Sequence, residues 1–396
     1  MRRTTLSMFA QIVQLLPQSL FFKLVQKYQT DKAAKGINTW DQLIAMMFCQ
    51  LSGAESLREI SDGLYSSIGK LNHLGVHAEG RSSLSYVNQH RDYHVYQDFY
   101  YGLLDHYREV LTGARVNQIL TGKKIFSLDS TTIGLCLKLF DWVRFRTTKG
   151  GIKLHTLLDN NTLMPSFIAV TEAAISDIKA ARTLVDIPPN CVLAIDRGYY
   201  DFRWYRQLSK RHIIFVTRIK ENIQLKQVKR IAVDKNENWG CYEIILKADL
   251  RAHEKGRLKK VPKYRLVQYK DKESGRWFEF LTNDFQLNAT EIAAVYKDRW
   301  QIELFFKKLK QNLKIKTFVG TSLNAVMVQI WTALSVTLLL EVLKRRSKYP
   351  WSFSRLRSYL RLNLMTYKDL NDWLNEPDIC SAENTGNVPS GQFILT

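Results

Sequence analysis

Ile125-Phe126-Ser127-Leu128-Asp129-Ser130-Thr131-Thr132 and Val192-Leu193-Ala194-Ile195-Asp196-Arg197-Gly198-Tyr199 share one plan, an apolar strand running straight into an aspartate. Open α/β sheets gather their ligands at the carboxyl ends of strands, so two such aspartates in one sheet point to a shared site. Either aspartate alone also reads as an ordinary turn or cap residue. Around them, Lys123 to Leu128, Ile152 to Leu158 and Met164 to Thr171 read as three strands, the last two joined by the turn Asp159-Asn160-Asn161. Ser176-Asp177 caps a helix to about Val185, and Pro188-Pro189 leads into the strand Cys191 to Ile195. A helix from Phe202 to Lys210 and the strand Ile213 to Thr217 follow. Three antiparallel strands, then alternating helix and strand, predict a mixed α/β sheet.

Residues 219–284 are basic and strand-like, with Trp239, Tyr242, Tyr264, Tyr269, Trp277 and Phe278, and read as a β-rich insertion. Asn288 opens a long helix to about Lys314. On it Tyr296, Arg299, Glu303 and Lys310 point at roughly 0°, 300°, 340° and 320°, one narrow stripe. Val295, Ile302, Phe305, Phe306, Leu309 and Leu313 occupy roughly 180° to 280°, beside it. The polar stripe thus flanks the core-facing one, whereas Lys297, Gln301 and Lys308 point to the far side. A border of ion pairs such as Arg299 with Glu303 is the plainer account of the same pattern.

Three carboxylates from separate segments suit phosphodiester chemistry. Two metal ions about 3.5–4 Å apart need oxygen ligands on both sides of the scissile phosphate, and magnesium prefers carboxylate oxygens. Arg299 and Lys310 would then hold flanking phosphates, the first bidentately and the second as a point charge.

The charge balance agrees. With 58 Lys+Arg against 37 Asp+Glu the net charge is +21, which favours a polyanionic partner and disfavours small neutral substrates. Lys307, Lys314 and Lys316 on or near the long helix would contribute, or serve solubility alone. Hydrophobic residues at 45% and a length of 396 residues indicate a folded chain of two or three domains. Five dispersed cysteines (Cys49, Cys136, Cys191, Cys241, Cys380) form no CxxC pair, which fits a reducing cytoplasm. His73 and His77 are a lone helical pair without further zinc ligands nearby.

Residues 4 to about 112 carry helical periodicity, and the start Met1-Arg2-Arg3 leads into an amphipathic helix interrupted by Gln11 and Gln14, not a signal peptide. Ser56 and Glu59 open a helix through Leu64, and a second helix starts after Gly75 and Gly80 at Arg81-Ser82-Ser83. Its Ser85, Tyr86, Asn88, Gln89 and Arg91 suit either a helix reading DNA or a solvated polar face. Ala325 to Leu343 is apolar enough for a membrane span, but Gln329 and Glu341 favour a buried helix. The residues from Asp378 on are polar and read as a frayed tail.

Together these residues resemble the IS-four family of DDE transposases of bacterial insertion sequences. Tyr296, Arg299, Glu303 and Lys310 fit that family's Y-R-E-K signature at every spacing, and Asp129 in FSLDSTT and Asp196 in AIDRGYY match its first two acidic motifs. Lys153 and His155 in GIKLH, Trp300, and SLREISDGL near the N-terminus are also similar, so the likeness runs from about residue 5 to 375. It implies a ribonuclease-H-like core with Asp129, Asp196 and Glu303 as catalytic metal ligands, and a β-strand insertion filling 219–284. It also implies two Mg²⁺ ions, with Mn²⁺ able to substitute, and contacts from Tyr296, Arg299, Lys310, Lys153 and His155 to DNA. In relatives an insertion Trp stacks on a flipped base; Trp277 or Trp239 could do so here, unless Trp277 in WFEFL is a packed strand residue. The expected organisation is a helical DNA-end-recognition domain over residues 1–115, a catalytic core over 116–320 and a helical region over 321–396. The implied partners are double-stranded DNA, as terminal inverted repeats and target, and a second copy in a synaptic complex. The implied location is the bacterial cytoplasm at the nucleoid, with no membrane.

Cut-and-paste transposition is therefore the leading expectation. A metal-dependent nuclease without joining activity would use the same acidic residues, and an inactive repressor of the element would use only the basic charge. Three carboxylates beside a phosphate site would weaken a mere binder.

Overall fold

Helices dominate both ends of the chain, and several start where a side chain satisfies a free backbone amide. The computed structural model describes residues 4–32, 34–67, 69, 80–112, 123–135, 150–221, 223–234, 239–312 and 318–377. His73, His77, Gly75, Cys136, Cys380, Leu313, Lys314, Lys316, the tail from Asp378 and the boundary near residue 115 lie outside the described residues. The first seven helices are α1 Met8–Val13, α2 Gln18–Tyr28, α3 Thr39–Ser52, α4 Leu57–Tyr65, α5 Arg81–His90, α6 His94–His106 and α7 Arg108–Thr112. Asn38 and Asp41 exchange side-chain and backbone hydrogen bonds of 2.8 and 3.0 Å to start α3. Ser56 Oγ accepts from the Glu59 amide at 3.2 Å to start α4.

The strands are β1 Ile125–Leu135, β2 Gly150–Asp159, β3 Met164–Glu172, β4 Val192–Ile195, β5 Ile214–Arg218, β6 Leu225–Asp234, β7 Trp239–Leu246, β8 Tyr264–Lys270 and β9 Trp277–Thr282. Interspersed are α8 Asp177–Thr183, α9 Phe202–Lys210 and α10 Lys247–Glu254. They build one sheet in the order β3-β2-β1-β4-β5-β9-β8-β7-β6. β1, β4 and β5 pair in parallel and the other neighbours are antiparallel, so the fold is the mixed α/β, ribonuclease-H-like sheet that the sequence suggests. The strands of the 219–284 segment continue this sheet, because β9 pairs with β5.

One expectation needs correction. β1 does not end at Leu128 but runs on through Asp129 to Leu135, held by its antiparallel pairing with β2 (Asp129↔Thr156, Leu135↔Gly150). Its parallel partner β4 stops at Ile195, opposite Leu128. Asp129 therefore lies in mid-strand, level with Asp196, where the parallel pairing gives out. Alternation then sorts the side chains. Phe126 and Leu128 pack with α9 on one face, and Ile125 packs with Ile292 and Val295 on the other. Asp129 belongs to the second face and Ser130 to the first.

The C-terminal helices are α11 Ala289–Asp298, α12 Trp300–Asn312, α13 Leu323–Arg346, α14 Phe353–Asn363 and α15 Leu370–Asn375. The single long helix from Asn288 is thus two helices. At the junction the Arg299 amide bonds Tyr296 O at 3.1 Å and the Ile302 amide bonds Arg299 O at 3.2 Å, tight i→i+3 bonds that end one helix and begin the next. The Asp298 carbonyl accepts a bond from Asn160 Nδ2 at 3.4 Å, in the β2–β3 turn. Below the break α12 lies along β1; above it α11 covers β4 and β5.

α13 is long and apolar enough to cross a membrane, yet Ala325 to Leu343 is wholly buried inside the protein. It packs against α3, α5, α6, α7 and α14, so the helices from both ends of the chain share one core. Gln329 Oε1 accepts from the Val319 amide at 3.0 Å, and the Glu341 carboxylate pairs with Lys308 of α12. Lys308 therefore does not point to the far side, as a straight wheel predicts, but inward to α13.

Candidate active site

The mid-strand position of Asp129 and the helix break at Arg299 create the site together. Arg299 Nη2 donates to Glu303 Oε1 at 2.6 Å, one turn along α12, and Nη1 lies 3.7 Å from Asp129 Oδ2. The guanidinium is 11% exposed and sits between the two carboxylates. Asp196 follows β4 alongside and is among the charges acting on Asp129, Arg299 and Tyr296. Burial pushes the Asp129 carboxyl up to about 6; the Ser130 amide and Arg299 pull it down, while Asp196 and Glu303 push it further up.

The Y-R-E-K residues divide at the break. Glu303 and Lys310 lie on α12 and Arg299 at the junction just before it; Lys310 Nζ donates to Thr132 O at 2.8 Å, so α12 meets β1 near both of its ends. Tyr296 lies on α11. Its ring packs at 5.2 Å from Phe280 of β9, with the Arg299 guanidinium 5.5 Å from its centroid. Burial pushes the Tyr296 phenol above its usual range.

Lys153 and His155 lie on the opposite face of the sheet from Asp129. Lys153 Nζ donates to Ile175 O at 3.0 Å and pairs with Asp177 at 3.1 Å. His155 is 1% exposed, with Nε2 bonded to Thr171 Oγ1 at 2.9 Å. Burial pushes its imidazole down to about 4. Asp177 also accepts from Ser130 Oγ at 2.6 Å. Neither Asp177 nor Ser130 stood out as functional in the sequence, where Ser176-Asp177 reads as a helix cap; Ser176 in fact makes no side-chain cap bond. The available signal was the run Asp129-Ser130, a polar residue on each face of a buried strand.

Trp277 opens β9 opposite Lys270 and is 57% exposed, not packed as the strand reading expected, while Trp239 is half-buried beside Tyr269 and Phe278. On α5, Ser85, Tyr86 and Gln89 are exposed, together with Arg81 and Ser82. Asn88 and Arg91 are not part of that face: Asn88 Oδ1 accepts from Gln42 at 2.8 Å, and Arg91 reaches Ile37 O and lies 3.6 Å from Asp31. Asn324 of α13 donates to the carbonyls of both, which fixes α5 to the central helix. Lys307 is exposed on α12.

Among the described residues no three His, Cys, Asp or Glu side chains converge closely enough to hold a metal ion; Arg299 fills the gap between two of the carboxylates.

Comparison with known proteins places the chain. Residues 120–339 match the transposase DDE domain, and residues 4–77 match a domain of unknown function. The chain is 32% identical over 244 residues to a Sinorhizobium fredii protein named as a transposase (y4zB), covering 61% of this chain and 67% of that one. It is 27% identical over 227 residues to a Geobacillus stearothermophilus protein named as a transposase for insertion sequence element IS5377, covering 57% and 58%. A Synechocystis protein named as a transposase for insertion sequence element IS4SA is 28% identical over 271 residues, covering 66% and 71%. The matched domain implies a divalent-metal-dependent enzyme that binds DNA. The chain belongs to the DDE transposases of insertion sequences, and the IS-four family is consistent with every one of these matches.

Proposed function

We propose that this transposase cuts the terminal inverted repeats of its own element and joins the freed ends to target DNA, with Asp129, Asp196 and Glu303 as the metal-binding catalytic set. The observation that carries this reading is the Arg299 guanidinium lodged between Asp129 and Glu303, level with Asp196. A cation is already needed there, and the donors are all carboxylate oxygens. That set fits Mg²⁺, with Mn²⁺ as a substitute, and two ions per site would balance three carboxylates and a phosphate. When bound, the metal supplies Lewis acidity and a more acidic water or hydroxyl nucleophile.

The protein's own residues do the rest. Asp129, Asp196 and Glu303 fix the charge on either side of the scissile phosphate. Arg299, released from the carboxylates, clamps an adjacent phosphate bidentately, and Lys310 leaves Thr132 O to meet the next one. Tyr296 orients the backbone from the α11 side, and the exposed Trp277 offers a stacking surface. Lys153 and His155 support the site from behind β1. The N-terminal helices, through the exposed face of α5, read the element ends, and residues 116–320 perform the chemistry. A homodimer brings two ends together at the bacterial nucleoid.

The test is a cleavage assay with Mg²⁺ or Mn²⁺ on DNA carrying the element ends, comparing wild type with Asp196→Ala. Metal-dependent cuts and joined products that vanish in the variant are expected. Cuts without joined products would replace the reading with a nuclease. Binding without cleavage by either protein would replace it with a repressor.

A further inference from the structure

Asp177 is a carboxylate that the transposition reading leaves unused, and it sits directly behind the acidic residues. Its Oδ1 accepts from Ser130 Oγ at 2.6 Å and faces Lys153 Nζ at 3.1 Å. Lys153 is anchored in turn on Ile175 O. Ser130 is the residue after Asp129, on the opposite face of β1. A tether on Ser130 therefore fixes the strand from behind without touching whatever Asp129 holds in front.

His155 Nε2 is bonded to Thr171 Oγ1 at 2.9 Å, and its buried Nδ1, without a hydrogen-bond partner, lies 3.7 Å from Asp177 Oδ1, beyond hydrogen-bond distance. Ser130 and Lys153 are the groups within bonding distance of the carboxylate. The second aspartate is reached by another route. Asp177 opens α8, which packs against the short turn Arg197–Tyr199 that follows Asp196. Tyr199 is buried there, and Asp129, Asp177 and Ser130 all act on its phenol.

We propose that Asp177 is a positioning residue that locks the β1 strand at Asp129 and the turn after Asp196 into one rigid frame, through Ser130, Lys153 and the α8–Tyr199 contact. This rests on the assignment of Asp129 and Asp196 as metal ligands. Partners behind metal ligands are worth about 10–100-fold in metal affinity or activity when removed. Asp177→Ala is expected to lower the rate constant of end cleavage by about that factor while leaving affinity for the DNA end within about twofold of wild type. Asp177→Asn keeps an acceptor for Ser130 and is expected to recover part of the loss. Ser130→Ala removes one hydroxyl and one of the three links, and is expected to reproduce part of the defect. The Ser130→Ala/Asp177→Ala double variant is expected to be no worse than Asp177→Ala alone.

The readout beyond activity is Mn²⁺ bound to the protein–DNA complex, followed by loss of the free-ion electron paramagnetic resonance signal. Weaker binding in Asp177→Ala and Ser130→Ala supports the proposal, and unchanged binding with unchanged rate overturns it. A loss of DNA affinity with an unchanged cleavage rate also overturns it. Asp129→Ala is run alongside: if it still cleaves, the ligand assignment itself has failed. If it does not cleave while Asp177→Ala and Ser130→Ala do, only the positioning role falls.

Discussion

The Lys308–Glu341 pair makes a prediction whose sign depends on which partner is removed. Glu341 sits on α13 with its side chain 5% exposed, and Lys308 reaches it from α12 with 20% of its own side chain exposed. The Lys308 ammonium also lies 4.7 Å from the centre of the Phe353 ring on α14. Taking a carboxylate out of water costs several kcal/mol, and the paired ammonium offsets that cost. Lys308→Met removes the offset and leaves the carboxylate in place. The expected destabilisation is about 3–5 kcal/mol, the range for breaking a buried pair. Glu341→Leu removes the carboxylate from the less buried partner, whose ammonium stays near the Phe353 ring and can extend toward solvent. That variant is expected to lose about 1 kcal/mol or less, within the range of ordinary substitutions.

The double variant Lys308→Met/Glu341→Leu replaces the pair with apolar groups of similar volume and is expected to match or exceed wild type, by up to about 4 kcal/mol. Urea unfolding followed by far-ultraviolet circular dichroism gives all three differences. Equal losses for the two single variants would refute the asymmetry of burial on which the reasoning rests. A double variant as unstable as Lys308→Met would refute the desolvation argument altogether. Because Lys308 lies on the same helix as Glu303, its removal is also expected to slow cleavage.

Three other outcomes follow from the site. Asp129 has its carboxyl pushed from 3.8 up to about 6, so between those values the native state binds more protons than the unfolded chain, and stability falls as pH rises. Two pH units correspond to about 3 kcal/mol, so Asp129→Asn is expected to stabilise the metal-free protein by about 1–3 kcal/mol at pH 7.5 and by nothing near pH 4. A gain that persists at pH 4 in denaturant titrations would contradict this. Arg299→Gln empties the space between Asp129 and Glu303, so Mn²⁺ binding to the DNA-free protein should tighten while binding to element ends weakens; calorimetry showing both weakened together would refute the exchange. Finally, if the basic surface neutralises phosphates, log affinity for DNA should fall with log salt by about 0.9 per contact, and a flat response would remove the argument from charge.

The sheet was legible because its strands are short, apolar and bounded by clear turns. The helix from Phe202 to Lys210 and the strands at Ile152 and Met164 match within a few residues. Four features were not legible, and all depend on tertiary partners. β1 outruns its apolar stretch because β2 supplies hydrogen bonds past Leu128, and nothing local in Asp129-Ser130-Thr131-Thr132 announces that partner. The helix break at Arg299 contains neither Gly nor Pro. The polar residues of α5 likewise look alike in sequence, yet Asn88 and Arg91 are drawn inward by Gln42, Asp31 and Asn324. The position of Asp177 behind the site was hidden for the same reason, since a helix-opening aspartate already has a local explanation.

The break at Arg299 also explains why the spacing of Tyr296, Arg299, Glu303 and Lys310 carries more than a shared helix face. A straight helix would set all four against one surface. Here α11 follows the part of the sheet extended by β8 and β9, and Tyr296 packs on Phe280. α12 instead follows β1, and Glu303 faces Asp129 across Arg299. Arg299 is the residue at which the two directions meet, with its guanidinium between the carboxylates and its backbone making the i→i+3 bond that starts α12. A shift of the extended part of the sheet relative to β1 would therefore pass through Arg299. On the proposed reading, nucleic acid held from the Tyr296 side would draw Arg299, the cation lying between Asp129 and Glu303, away from the acidic residues. The same residue that holds the carboxylates together before DNA arrives would then be the one whose departure opens them to metal.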